Sequence, residues 1–152
     1  MAKNSNRRRA VLLALAAGAI LAAGAAGCAP ASSSGQSPPP PTATLQNTPG
    51  SSVPSVVLTP VGKERIGLQT APVGDAGGKA TFPYSALLYE PDGTAAVYVP
   101  TGQLTFLRHY VKVAAIHGST VVVTSGVTLG QSVVTVGAEE LLGVQNGVGE
   151  ET

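Results

Sequence analysis

The chain has 152 residues, enough for one small domain with appendages, and a formal net charge of +1. Lys3, Arg7, Arg8 and Arg9 supply four of its nine basic residues, so the remainder carries five basic against eight acidic groups, a net of −3. That balance leaves no clustered basic footprint and argues against a nucleic-acid partner; the single cysteine, Cys28, excludes an internal disulfide and a cysteine-rich metal site.

Residues 1–9 are polar and basic, Ala10 to Ala23 is an uncharged apolar run, and Ala25-Ala26-Gly27-Cys28 follows. This is the three-part build of a secretory signal, with an apolar core shorter than the roughly 20 residues a spanning helix needs. The residues before Cys28 resemble a bacterial lipobox, with Ala25 where Leu is usual. The reading is a lipoprotein signal peptide over 1–27, with lipidation at Cys28 holding the protein on the extracytoplasmic face of the cell membrane. An uncleaved anchor and an ordinary cleavage site are the simpler alternatives. Arg8-Arg9-Ala10-Val11-Leu12 loosely resembles a twin-arginine signal, which leaves the export route open.

Residues 28–52 read as a lipid-anchored tether. Ala29 to Ser52 carries one Leu, no aromatic residue and no charge, and is rich in Pro, Ser and Thr. Such a segment buries too little surface to offset its ordering entropy and is expected to be disordered. Pro38 to Pro41 adds a stiff polyproline spacer.

The folded part is expected over 53–149. Val56-Val57-Leu58 reads as a strand. Thr59-Pro60 starts a short helix with Thr as N-cap and Pro at the first position, and Gly67 ends it, with Val61 and Ile66 inward. Leu68 to Val73 is extended, and Gly74 to Lys79 is a turn or flexible joint. Pro83 interrupts a strand over Ala80 to Tyr89. Glu90-Pro91-Asp92-Gly93 is a tight turn, Thr94 to Val99 a strand, and Pro100 to Gln103 another turn. His117-Gly118-Ser119 closes a hairpin into Thr120 to Thr124. Ser132 to Val136 is the last strand, with one helical turn over Gly137 to Leu142. Five to seven short strands and little helix make an all-β, barrel-like or sandwich domain.

Leu104 to Ile116 reads as the longest strand. Leu107, His109, Val111, Val113 and Ala115 share one face. Phe106, Arg108, Tyr110 and Lys112 share the other, facing water or a partner. This second strip is the candidate partner-binding surface, because aromatic and Arg side chains are favoured at interface hot spots.

No catalytic constellation emerges. The chain has no Walker A pattern, no G-x-S-x-G and no H-E-x-x-H. His109 reads as a hydrogen-bonded packing residue and His117 as a turn residue, not as a metal pair lacking a third ligand. Glu139 and Glu140 are adjacent and point apart. Neither an enzyme activity, a cofactor nor a metal is expected.

Val57-Leu58-Thr59-Pro60, with Lys63 through Val73 (KERIGLQTAPV), is similar to the opening of heavy-metal-type efflux adaptors. Pro83-Tyr84-Ser85-Ala86, Val97-Tyr98-Val99, Val111 to Val121, Ser125-Gly126-Val127, Gly130-Gln131 and Val133 to Ala138 resemble the C-terminal membrane-proximal domain of the same family. The family is the periplasmic adaptor subunits, or membrane fusion proteins, of bacterial RND and ABC efflux systems. Full-length adaptors place a β-barrel, a lipoyl-like domain and usually a helical hairpin between these segments; here only Gly74 to Lys79 separates them. The resemblance implies a truncated adaptor, joined end to end, that docks as an accessory subunit on an RND- or ABC-type permease in transmembrane transport. The alternative is a stand-alone envelope lipoprotein that binds a cell-wall polymer or small ligand.

Overall fold

The computed structural model describes residues 40–147. The expected signal peptide 1–27, the expected lipidation site Cys28 and the expected tether residues 28–39 lie outside the described residues.

Among the described residues, eleven strands, two short helices and one 3-10 turn make an all-β, sandwich-like architecture, with three antiparallel sheets and no closed barrel. The strand count exceeds the expected five to seven because the extended runs over 80–89 and 104–116 are broken at Pro83 and Val111, and because strands also form at Ala43–Gln46 and Gly74–Ala76. The first sheet has the order β1 (Ala43–Gln46), β2 (Ser55–Leu58), β8 (Thr105–Tyr110), β7 (Ala95–Pro100), β6 (Leu88–Tyr89). The second runs β4 (Gly74–Ala76), β5 (Lys79–Pro83), β10 (Thr120–Ser125), β9 (Lys112–His117). A two-stranded pair joins β3 (Gln69–Pro72) to β11 (Ser132–Val136).

The first sheet is the middle layer. On one face, Val97 and Val99 of β7 pack with Phe82 of β5 and Val121 and Val123 of β10. On the other, Tyr98 of β7 packs with Val56 and Leu58 of β2, Phe106 of β8, and Ala138 and Leu141 of helix α2 (Ala138–Gln145). A strand buried on both faces needs no polar alternation, and Ala95 to Val99 contains none. Strand β11 also serves both cores, with Val133 in the first and Val134 in the second.

Local turn chemistry sets the boundaries. Thr59 caps helix α1 (Pro60–Arg65): its hydroxyl accepts from the Gly62 N–H at 3.1 Å, and Pro60 sits where no donor is required. At the far end, Gly67 takes φ +59°. Its N–H donates to the Glu64 carbonyl at 3.1 Å, and the Leu68 N–H donates to the Lys63 carbonyl at 3.2 Å, the crossed pair of a Schellman turn. Pro83 ends β5 and starts the 3-10 turn Tyr84–Ala86. The Gly93 N–H closes the 90–93 turn on the Glu90 carbonyl at 2.9 Å. The Thr94 N–H on Asp92 Oδ1, at 2.8 Å, holds that exposed carboxyl below its ordinary value. His117 pairs with Thr120 across the Gly118-Ser119 turn.

Four expectations require correction. Residues 43–46, read as disordered tether, form strand β1 on the edge of β2; the sheet supplies the order that their composition lacks. Gly74 to Lys79, read as a turn or flexible joint, is a β-hairpin: the turn is confined to Gly77-Gly78, the Gly78 N–H donates to Asp75 Oδ1 at 2.7 Å, and the flanking residues are strand. Val61 is 60% exposed; the inward position of α1 is Gly62, where the carbonyl of Thr42 leaves no room for a side chain. The fourth is the strand over Leu104 to Ile116. It breaks at Val111, where the chain leaves the first sheet as β8 and enters the second as β9.

Candidate interaction site

Phe106, Arg108 and Tyr110 do share a face of β8, but that face turns toward the second core, not toward water. Phe106 lies opposite Val56 on one side and Pro100 on the other and is 2% exposed, so it is a packing residue and no partner contact. Arg108 lies two residues nearer the rim, paired with Tyr98 across β7. Its side chain retains only 9% exposure, and Nη1 donates to Glu90 Oε1 at 2.5 Å. Tyr110, at the rim, is 45% exposed. The Arg108 guanidinium carbon stands 5.5 Å from the centre of the Tyr110 ring, within cation–π range. Lys112 is exposed but belongs to β9 in the other sheet, so the four-residue strip does not exist as one surface.

What the structure assembles instead is a polar cluster at the margin of the second core. Tyr98 is fully buried, and its hydroxyl donates to Gln145 Oε1 at 2.6 Å. The Gln145 amide in turn donates to the Pro54 carbonyl, so one side chain of α2 ties β7 to the entry of β2. Burial raises the Tyr98 phenol well above its usual value; the charge of Glu90 and the Tyr110 hydroxyl act in the same direction, and Arg108 opposes them. Arg108 Nε is buried with no hydrogen-bond partner. The guanidinium is therefore held by one ion pair and one aromatic face.

Removing Glu90 should be costly for that reason. Glu90→Ala leaves a desolvated guanidinium without its counter-charge, a change that costs about 3–5 kcal/mol in fully buried pairs. Glu90 retains 15% side-chain exposure, so water reaches the vacated position and the expected loss is about 2–3 kcal/mol. Replacing both partners, as Glu90→Gln with Arg108→Met, should recover most of it. Denaturant unfolding of the single and double variants reads the difference.

The accessible part of the region is its rim. Tyr110 lies opposite Ala96 of β7, and Tyr89, 51% exposed, lies opposite Ala95, so two tyrosines flank the same end of the first sheet from its two faces. Elsewhere, an open cleft of about 460 Å³ is lined by Pro60, Lys63, Glu64, Leu68, Gln103 and Leu104. His109 Nδ1 lies 3.0 Å from the Gly126 carbonyl, and His117 flanks its hairpin turn. Among the described residues, no group of three or more His, Cys, Asp or Glu side chains comes together to hold a metal ion.

Comparison of the chain with protein-family models, with curated proteins and with solved structures finds no match.

Proposed function

We propose that the protein is a non-catalytic, lipid-anchored lipoprotein of the extracytoplasmic membrane face that docks as an accessory subunit on an RND- or ABC-type permease. The observation that supports this reading is how the two segments resembling efflux adaptors interleave. Strand β2 pairs with β8, and β3 pairs with β11, so residues 55–72 are completed by strands that follow the Gly77-Gly78 hairpin. A domain assembled from the two ends of an adaptor chain requires this pairing, with the missing middle replaced by a short connection. The rim tyrosine Tyr110 offers the docking contact, and the Arg108 guanidinium, 5.5 Å from the centre of its ring, backs it.

The test is an in-cell photo-crosslinker in place of Tyr110 in the full chain, with one in place of the exposed Ile116 of β9 as control. Capture of a polytopic permease from position 110 and not from 116 is the expected result. Absence of any transporter adduct while the protein is lipidated and membrane-bound overturns the reading. Retention on isolated envelope polymer would then favour the stand-alone binder.

A further inference from the structure

We infer that β1 is a releasable strap, docked on the edge of β2, that sets how far the domain can stand from its membrane anchor. Three observations carry this.

The first is the chemistry of the β1 contact. β1 is an edge strand, bonded on one side only, in the register Ala43↔Leu58 to Gln46↔Ser55. Thr44, Leu45 and Gln46 are exposed, and only Ala43 reaches the second core. The remaining links are hydroxyl and carbonyl bonds. The Thr42 carbonyl accepts from the Thr59 N–H at 3.0 Å and from the Thr59 hydroxyl at 3.2 Å. The Ser55 hydroxyl donates to the Gln46 carbonyl at 3.1 Å and accepts from the Thr48 hydroxyl at 3.0 Å. Water replaces such bonds at small net cost, while burial of apolar surface, which β1 largely lacks, is what it cannot replace.

The second observation is that the elements beside β1 have anchors of their own: α2, which packs on β1, is also seated in the second core by Ala138 and Leu141. β2 is anchored by Val56 and Leu58 in the core, by its pairing with β8, and by the Leu58 N–H on the Leu104 carbonyl at 2.8 Å. Helix α1 carries its own N-cap and its own Schellman closure. Segments with few buried apolar contacts and many replaceable hydrogen bonds open separately from the body of a domain.

The third is the close approach at Gly62. A Cβ there would stand 2.1 Å from the Thr42 carbonyl oxygen. Gly62 makes α1 able to accept the strap, and it supplies a lever on the strap alone.

The consequence for reach rests on the reading of Cys28 as the lipid anchor. Release through Pro54 frees residues 43–54, which adds about 12 residues, or at most about 40 Å, to the chain between the body and Cys28. Docking and release of one strand thus alternate between a short and a long leash.

Site-resolved amide hydrogen exchange on the full chain tests the strap. The β1 amides of the β1–β2 ladder should exchange at least about 100-fold faster than those of β7 and β11. Gly62→Ala should accelerate them a further ~10-fold with β7 and β11 unchanged, because alanine suits the helix and the clash falls on Thr42. Thr48→Val, which leaves α1 untouched, is a second lever and should act in the same direction. β1 amides that exchange at the core rate in the wild-type chain, and remain coupled to the core in Thr48→Val, overturn the proposal. Cys28→Ser separates the two readings: the exchange pattern should persist in it, and loss of membrane attachment in the same variant tests the anchor independently.

Discussion

Tyr98→Ala should destabilise the domain by about 3–5 kcal/mol, the range for emptying a large aromatic site in a core. Tyr98 is the largest of the fully buried side chains among the described residues, and it sits on β7, an interior strand of the middle layer, where sheet and α2 both close on it. Domains of this size have only about 5–15 kcal/mol of stability in total, so the variant should be largely unfolded in mild denaturant. Tyr98→Phe retains the ring and should cost about 1–2 kcal/mol, because it leaves Gln145 Oε1 without its 2.6 Å donor.

The same residue sets an alkaline limit. Burial raises the folded-state value of Tyr98 above that of the unfolded chain, so the folded form disfavours the phenolate. A group raised in this way stabilises fully below its unfolded value of about 10, and that contribution is lost as pH rises through the interval up to its folded value. Stability should therefore fall above about pH 10 in the wild-type chain and fall less steeply in Tyr98→Phe. The difference in phenolate absorbance between the two, followed alongside circular dichroism, should appear together with unfolding. A Tyr98 phenolate that forms while the domain stays folded would refute the assignment.

Much of the fold is legible in local turn chemistry, and what is not legible depends on contacts distant in sequence. Thr59-Pro60 and Gly67 mark the two ends of α1, and Gly118-Ser119 marks its hairpin, because cap and turn preferences are decided within a few residues. β1 is invisible to composition: its order comes from the edge of β2, not from its own side chains. The length of α2 is similarly hidden, since Leu141 is helical over a core that forms elsewhere. For the candidate site, the two-residue period correctly puts Phe106, Arg108 and Tyr110 on one face. It cannot say which face meets water. That choice is made by Val56, Tyr98 and α2, and Arg108 is neutralised by Glu90, 18 residues away, with no local signal to announce the pair.

The break at Val111 is the clearest instance, and it yields the other large expected effect. Gly126→Ala should cost at least about 3 kcal/mol, well beyond the ~1 kcal/mol of an ordinary glycine replacement. The strand over 104–116 contains no glycine or proline to divide it; the residue that permits the corner is Gly126, in the loop after β10. A Cβ at Gly126 would lie 2.2 Å from the Tyr110 carbonyl oxygen and 2.8 Å from the Val111 Cα, both backbone atoms that no side-chain rotation can clear. Its φ of +107° adds strain for any residue with a side chain. Relief requires moving either the loop or the corner. Moving the loop draws the Gly126 carbonyl from His109 Nδ1, while moving the corner draws the Val111 N–H from the Ala95 carbonyl, now at 2.9 Å, and Val111 from the first core. Because β8 lies in one sheet and β9 in the other, the damage should spread to both: amides of β8 and of β9 should lose protection together in Gly126→Ala. A variant with wild-type thermal stability, or with lost protection confined to the 126–131 loop, would show that the corner forms without this close approach.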